Sequence, residues 1–192
     1  EPLDLDGDER IQDNDDTPGA VVDIGAYEGG EEPPEPSNYK VNAVADPGGD
    51  GLEWESAFNN LADAIKAAYV SDQIWVMKGT YYPDEGWCSD NNSACTFDIP
   101  EGVKVYGGFA GTEDNLLDRD WEENETILSG DIDGNDQDLN IEGTNARHVV
   151  TFNGVSEATL LDGFTITAGN AEGPVSGMKD GGGIYNIDGS PQ

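Results

Sequence analysis

Positive charge is scarce in this chain: 8 lysines and arginines stand against 41 aspartates and glutamates in 192 residues, a formal net charge of −33. The basic residues (Arg10, Lys40, Lys66, Lys78, Lys104, Arg119, Arg147, Lys179) are scattered, and no basic stripe exists to follow a phosphate backbone. Nucleic acids and anionic lipid surfaces are therefore not expected partners. Histidine occurs once and cysteine twice, too few for a zinc site of the usual ligand set. No apolar run reaches 18 residues, so no membrane-spanning helix is expected, and no basic-then-apolar signal segment opens the chain. Glu1 in place of an initiating methionine reads as a processed chain or an excerpt from a longer one.

What is abundant points to β structure. The 26 glycines and 10 prolines favour a turn-rich all-β fold over a helical bundle. The acidity opposes compaction unless salt or bound cations screen it, so cations are expected. A solvated surface suited to a high-salt habitat is the alternative reading of the same charge.

Three parts can be separated. Residues 1–28 form an acidic tail ending in the apolar strand pattern "AVVDIGAYE"; residues 29–38, "GGEEPPEPSN", have the composition of a solvated linker; residues 39–192 carry a globular pattern. Within the last part, Phe58, Leu61, Ala62, Ile65 and Tyr69 recur at helical spacing, which predicts one helix over 57–69 with Ser56 as its cap. Such a helix is suited to covering the open end of a sheet stack. Short β segments follow: "QIWVMKGTYY", "GVKVYGGFAG", "ETILSGDI", "RHVVTFNG", "ATLLDGFTITAGN" and "GGGIYN". Their centres, Val76, Val105, Ile127, Val149, Ile166 and Ile184, are 29, 22, 22, 17 and 18 residues apart, irregular at first and then settling, which reads as a solenoid with one coil per strand-turn repeat. An antiparallel sandwich is the rival, kept open by the hairpin-type pairs Asn153-Gly154 and Asp162-Gly163.

The succession "DGLEWESAFNNLADAIKAA", "DQIWVMKGTYYP", "VKVYGGFAGTED", "DRDWEENETILSGDIDG", "HVVTFNG", "LDGFTITAGNA" and "GGGIYN" resembles the N-terminal half of bacterial and archaeal right-handed parallel β-helix surface proteins, the pectate-lyase-like and polymorphic outer membrane protein-like group. The resemblance spans about Tyr39 to Asn186 and implies a right-handed parallel β-helix with an N-terminal capping α-helix. The opening "DLDGDERI" with "VVDIGAYE" is similar to the segment that closes such domains. That order implies one β-helix unit ending before the linker and another starting after it, within a tandem array or a self-assembling subunit. Since this fold hosts adhesins, structural proteins and polysaccharide enzymes alike, it is much less informative about function.

Candidate sites follow from residue type and spacing. Asp4, Asp6 and Asp8 alternate, with Asp13 and Asp15 near by, and a second cluster comprises Asp131, Asp133, Asn135, Asp136 and Asp138. Both offer the oxygen ligands that calcium takes, although neither follows the EF-hand spacing. Polar turns built on Asp, Asn and Gly for backbone reasons are the alternative. Cys88 and Cys95 close a short polar loop, and a local disulfide with an oxidising, extracellular setting is expected. Val21, Val22, Ile24 and Tyr27 form a strand able to add to the open edge of a neighbouring unit near Gly183–Asn186.

An enzyme would need more. Lys78, Lys104, Arg119 and Arg147 qualify as lyase bases only by type, Asp15-Asp16 mimics an acid pair within the tail, and His148 reads as strand-end packing. Trp54 and Trp75 are expected to pack the cap and first coil, leaving Trp87 as the exposed aromatic; Tyr81, Tyr82 and Trp121 are further sugar-stacking candidates. Sequons stand at Asn91 and Asn124. The expected function is an extracellular, non-enzymatic, calcium-stabilised filament, stalk or adhesin built from head-to-tail β-helix units. A polysaccharide-binding or polysaccharide-degrading β-helix is the alternative.

Overall fold

A computed structural model describes residues 35–88, 92–137, 140–172 and 180–192. The chain divides between Glu35 and Pro36 into two units, and the second, Pro36–Gln192, carries all the elements below. Among the described residues, ten strands and one α-helix follow in the order β1 (Asn38–Val41), α1 (Leu61–Ala67), β2 (Gln73–Met77), β3 (Gly79–Tyr81), β4 (Phe97–Asp98), β5 (Lys104–Phe109), β6 (Thr126–Ser129), β7 (Val150–Asn153), β8 (Leu160–Asp162), β9 (Thr165–Thr167) and β10 (Ile184–Ile187). Two 3-10 turns, Trp54–Ser56 and Leu116–Asp118, complete the regular structure of the described residues.

The strands form three sheets, ordered β1-β2-β5-β8, β3-β6-β9 and β4-β7-β10, and every strand pairing in them is parallel. From β2 onward each sheet takes every third strand. After β10 the chain returns to the first sheet, where Gln192 N–H donates to the Thr159 carbonyl at 2.9 Å and Leu161 N–H to the Gln192 carbonyl at 3.0 Å. The all-parallel pairing excludes the antiparallel sandwich. Asp162-Gly163 makes no hairpin; Gly163, at φ +83, turns the corner from β8 in one sheet to β9 in another, a conformation that favours glycine.

Two expectations about spacing are corrected. The segments "QIWVMKGTYY" and "ATLLDGFTITAGN" are each two strands bent onto different sheets, and β4 had no periodic signature because it is two residues long. A sheet is therefore revisited every third strand and not at each strand-turn repeat. Ile74 pairs with Val105, 31 positions on, and Val105 with Leu161, 56 positions on.

Alternation along the strands separates two apolar clusters. Ile74, Val76, Val105, Tyr81, Leu128, Phe97, Val150 and Phe152 point inward and are buried together. Each such aliphatic or aromatic side chain contributes about 1.5–3 kcal/mol on burial. The intervening residues of the first sheet face outward. There Trp75, Tyr106 and Phe109 form a second cluster, covered by Trp54, whose ring centroid lies 5.7 Å from that of Phe109. Trp75 stacks on Phe109 at 4.7 Å and 11°.

The helix is shorter than its periodicity predicts. Phe58 is held in extended pairing, donating its N–H to the Lys40 carbonyl and accepting from Asn42 N–H, both at 2.9 Å, so it cannot join a helix. Asn60 replaces Ser56 as the cap, its side chain accepting from Asp63 N–H at 2.8 Å. Ser56 instead donates to Asp50 at 2.6 Å, and Tyr69 lies beyond the helix, 75% exposed. Leu61, Ala62, Ala64 and Ile65 bury the inner face of α1, which packs on β1, β2 and β4. The helix thus covers the start of the third sheet, where β4 is the outermost strand.

Candidate functional site

The second acidic cluster lies in an excursion between β6 and β7, closed by an antiparallel bridge between Asp131 and Asn145. The carboxylates of Asp131, Asp133 and Asp136 are occupied in shaping the loop. Asp131 accepts from Asn135 N–H through Oδ1 at 3.0 Å and from Asp136 N–H through Oδ2 at 3.2 Å. Asp133 Oδ2 accepts from Thr144 N–H at 2.8 Å, and Asp136 Oδ1 from Glu142 N–H at 2.6 Å. Asn145, 4% exposed, ties the loop to the end of β9 by donating from Nδ2 to Asp136 Oδ2 and to the Ala168 carbonyl, both at 2.8 Å. These bonds are the local turn chemistry that places Asp and Asn in loops. Among the described residues no group of three or more histidine, cysteine or acidic side chains is placed to hold a metal ion. Asp138 lies outside the described residues, as do Asp4, Asp6, Asp8, Asp13, Asp15 and the expected assembly residues Val21, Val22, Ile24 and Tyr27.

Cys88 and Cys95 are joined in a disulfide with their Cα atoms 6.0 Å apart. Trp87, immediately before it, is 60% exposed. It lines a groove with Ile65 and Lys66 of α1, Phe97 and Asp98 of β4, and Pro100, enclosing about 370 Å³. Sequence reading singled out Trp87 but not Lys66 or Asp98, which come together only when α1 packs on β4.

Of the lyase-base candidates, Lys104 begins β5 and Arg119 is held by structural contacts. Arg119 lies across the outer face of the first sheet, its guanidinium 5.1 Å from the ring centroids of both Tyr106 and Trp121. It donates to the Gly107 carbonyl at 3.1 Å and forms an ion pair with Asp162. An arginine stacked between two rings and bound to a carboxylate is a clamp between β5 and β8, with the stacking contributing about 0.5–1 kcal/mol per ring. Trp121 is consequently committed on one face. Lys40 Nζ sits 5.9 Å from the Trp75 ring on the same outer surface. The His148 ring stacks on Tyr185 at 4.5 Å, and its Nδ1 is 3.1 Å from the Gly181 carbonyl, an arrangement that packs β7 against β10.

Other polar groups hold corners. Burial pushes the Glu113 carboxyl up, but N–H donors from Ala110, Gly111 and Thr112 at 2.7–2.9 Å outweigh it and hold the group below the usual carboxylate range. Tyr81 is fully buried, and that burial raises its hydroxyl pKa; the hydroxyl donates to the Met77 carbonyl at 2.8 Å. Asn124 is 9% exposed, with its amide directed at the Gly108 carbonyl at 3.4 Å, so the folded chain does not present this sequon to solvent. Asn91 lies outside the described residues. No family model, curated protein or solved structure matches the chain.

Proposed function

We propose that this chain is a structural unit of an extracellular filament, stalk or adhesin, folded as a right-handed parallel β-helix with α1 as its cap. The observation that carries the reading is the order of the sheets: every third strand returns to the same sheet in parallel, and the chain beyond β10 returns again to β8. A stack of this kind is quasi-one-dimensional. It lengthens by adding rungs that contact only their neighbours, which suits a rod better than a closed catalytic pocket. The disulfide supports an oxidising compartment. Head-to-tail contact is heterologous and builds an open fibre or continues a tandem array, and the Ala20–Glu28 strand is the proposed connector.

Calcium belongs to the proposal as a stabiliser, supported by the net charge of −33 and the density of aspartates at 4–16 and 131–138. Binding to the native state alone would raise stability by about 2.7 kcal/mol at a hundredfold excess over Kd. The test is electron microscopy of residues 1–192 and 39–192, with and without calcium, alongside melting curves in chelator. Fibres from the longer form alone support the connector. A longer form that stays monomeric in every condition refutes self-assembly through the tail, and a melting temperature indifferent to chelator removes calcium. Release of reducing or unsaturated ends from polysaccharides would overturn the structural reading.

A further inference from the structure

We propose that the groove between α1 and β4 binds one neutral pyranose residue of an oligosaccharide, with Trp87 as its stacking platform. The groove, at about 370 Å³, falls within the size range of small-molecule sites, and Ile65, Phe97 and Pro100 give it a largely apolar lining. Trp87 contributes an indole that is 60% exposed, and the disulfide beginning at the next residue restrains the backbone that carries it. A large aromatic held at a rim is pre-organised and loses little conformational freedom on binding.

The polar groups decide the ligand class. Lys66 and Asp98, of opposite charge, line the same groove, and no ion pair joins them. A purely apolar occupant would strip water from both without replacing a hydrogen bond, which is costly. A pyranose satisfies all parts at once: its C–H face lies on the indole, one hydroxyl donates to the Asp98 carboxylate and another accepts from the Lys66 ammonium. Uronates and sulfated sugars are disfavoured by the net charge of −33, against which a single lysine is a weak counterweight. The inference is independent of filament assembly, since a monomer presents the groove equally well.

The test uses the full chain. Saturation-transfer NMR and calorimetric titration are run with cellohexaose, xylohexaose, laminarihexaose and chitohexaose, and with oligogalacturonate as the anionic arm. At least one neutral hexaose is expected to bind, with saturation greatest on the protons of one ring face. Trp87→Ala should weaken that binding by about tenfold or more, and Asp98→Asn should weaken it several-fold. Trp121→Ala, which removes an aromatic already stacked on Arg119, should leave affinity unchanged. Melting curves check that each variant folds. The proposal is overturned if no neutral hexaose binds, if Trp87→Ala binds as well as the parent, if Trp121→Ala loses binding equally, or if oligogalacturonate binds more tightly than every neutral sugar.

Discussion

Replacing Gly130 by alanine tests how closely successive strands must approach where the chain leaves β6. A Cβ at that position would lie 2.4 Å from the Ala168 carbonyl oxygen, 2.9 Å from its carbon and 3.0 Å from Gly169 Cα. All three are backbone atoms of the segment that follows β9, the strand stacked next in the second sheet, so no side chain can rotate away, and the backbone must part by several tenths of an ångström. Such overpacking costs about 1–3 kcal/mol. The movement also loads two short hydrogen bonds, Gly130 N–H to the Thr167 carbonyl at 2.9 Å and Ala146 N–H to the Gly130 carbonyl at 2.7 Å. Weakening them adds about 1 kcal/mol. A total near 3 kcal/mol corresponds to a fall in Tm of roughly 6–12 °C for a chain of this length. Gly134→Ala is the control: its φ of +68 is unfavourable for alanine, yet nothing lies within 4 Å of the added carbon. That change should cost about 1 kcal/mol. Urea unfolding followed by far-UV circular dichroism should show the Gly130 variant with a lower midpoint at unchanged slope. Equal midpoints for the two variants would refute the close-approach reading.

Three further outcomes are expected. Converting both Cys88 and Cys95 to serine opens a short loop, seven residues in sequence separation, and should cost about 2.5 kcal/mol by chain entropy; a loss below the error of urea titration would show that the bridge constrains nothing. Glu113, whose folded pKa is depressed, contributes stability above its unfolded value of about 4.3 and loses it as pH falls through the folded value. Glu113→Gln should therefore destabilise by about 1 kcal/mol at pH 7 and by less at pH 3, and a difference independent of pH in paired melts counts against the backbone donors as the cause. Tyr81→Phe removes the hydroxyl between the Ala43 N–H and the Met77 carbonyl and should cost about 1–2 kcal/mol, measured by urea unfolding; a neutral change would mean that water or a shifted neighbour satisfies both groups.

Much of this protein is legible in local pattern. The short apolar runs within β2, β5, β6, β7, β9 and β10 read as strands, helix α1 announces itself at Leu61, Ala62 and Ile65, and the seven-residue cysteine spacing suits a bridge. These signals survive in sequence because backbone geometry and burial on one face are decided over a few neighbouring residues. What tertiary structure alone decided is which strands meet. The partner of Val105 on one side is Ile74 and on the other Leu161, separations fixed by where Gly79 and Gly163 turn corners and by how long each excursion runs. The same long-range pairing took Phe58 from the helix, because Lys40 and Asn42 offered it a strand's hydrogen bonds. It also placed Lys66 and Asp98 on one groove and Arg119 over Tyr106, and directed the loop aspartates to backbone N–H groups, since contacts across dozens of residues depend on stacking order and leave no periodic trace in the chain.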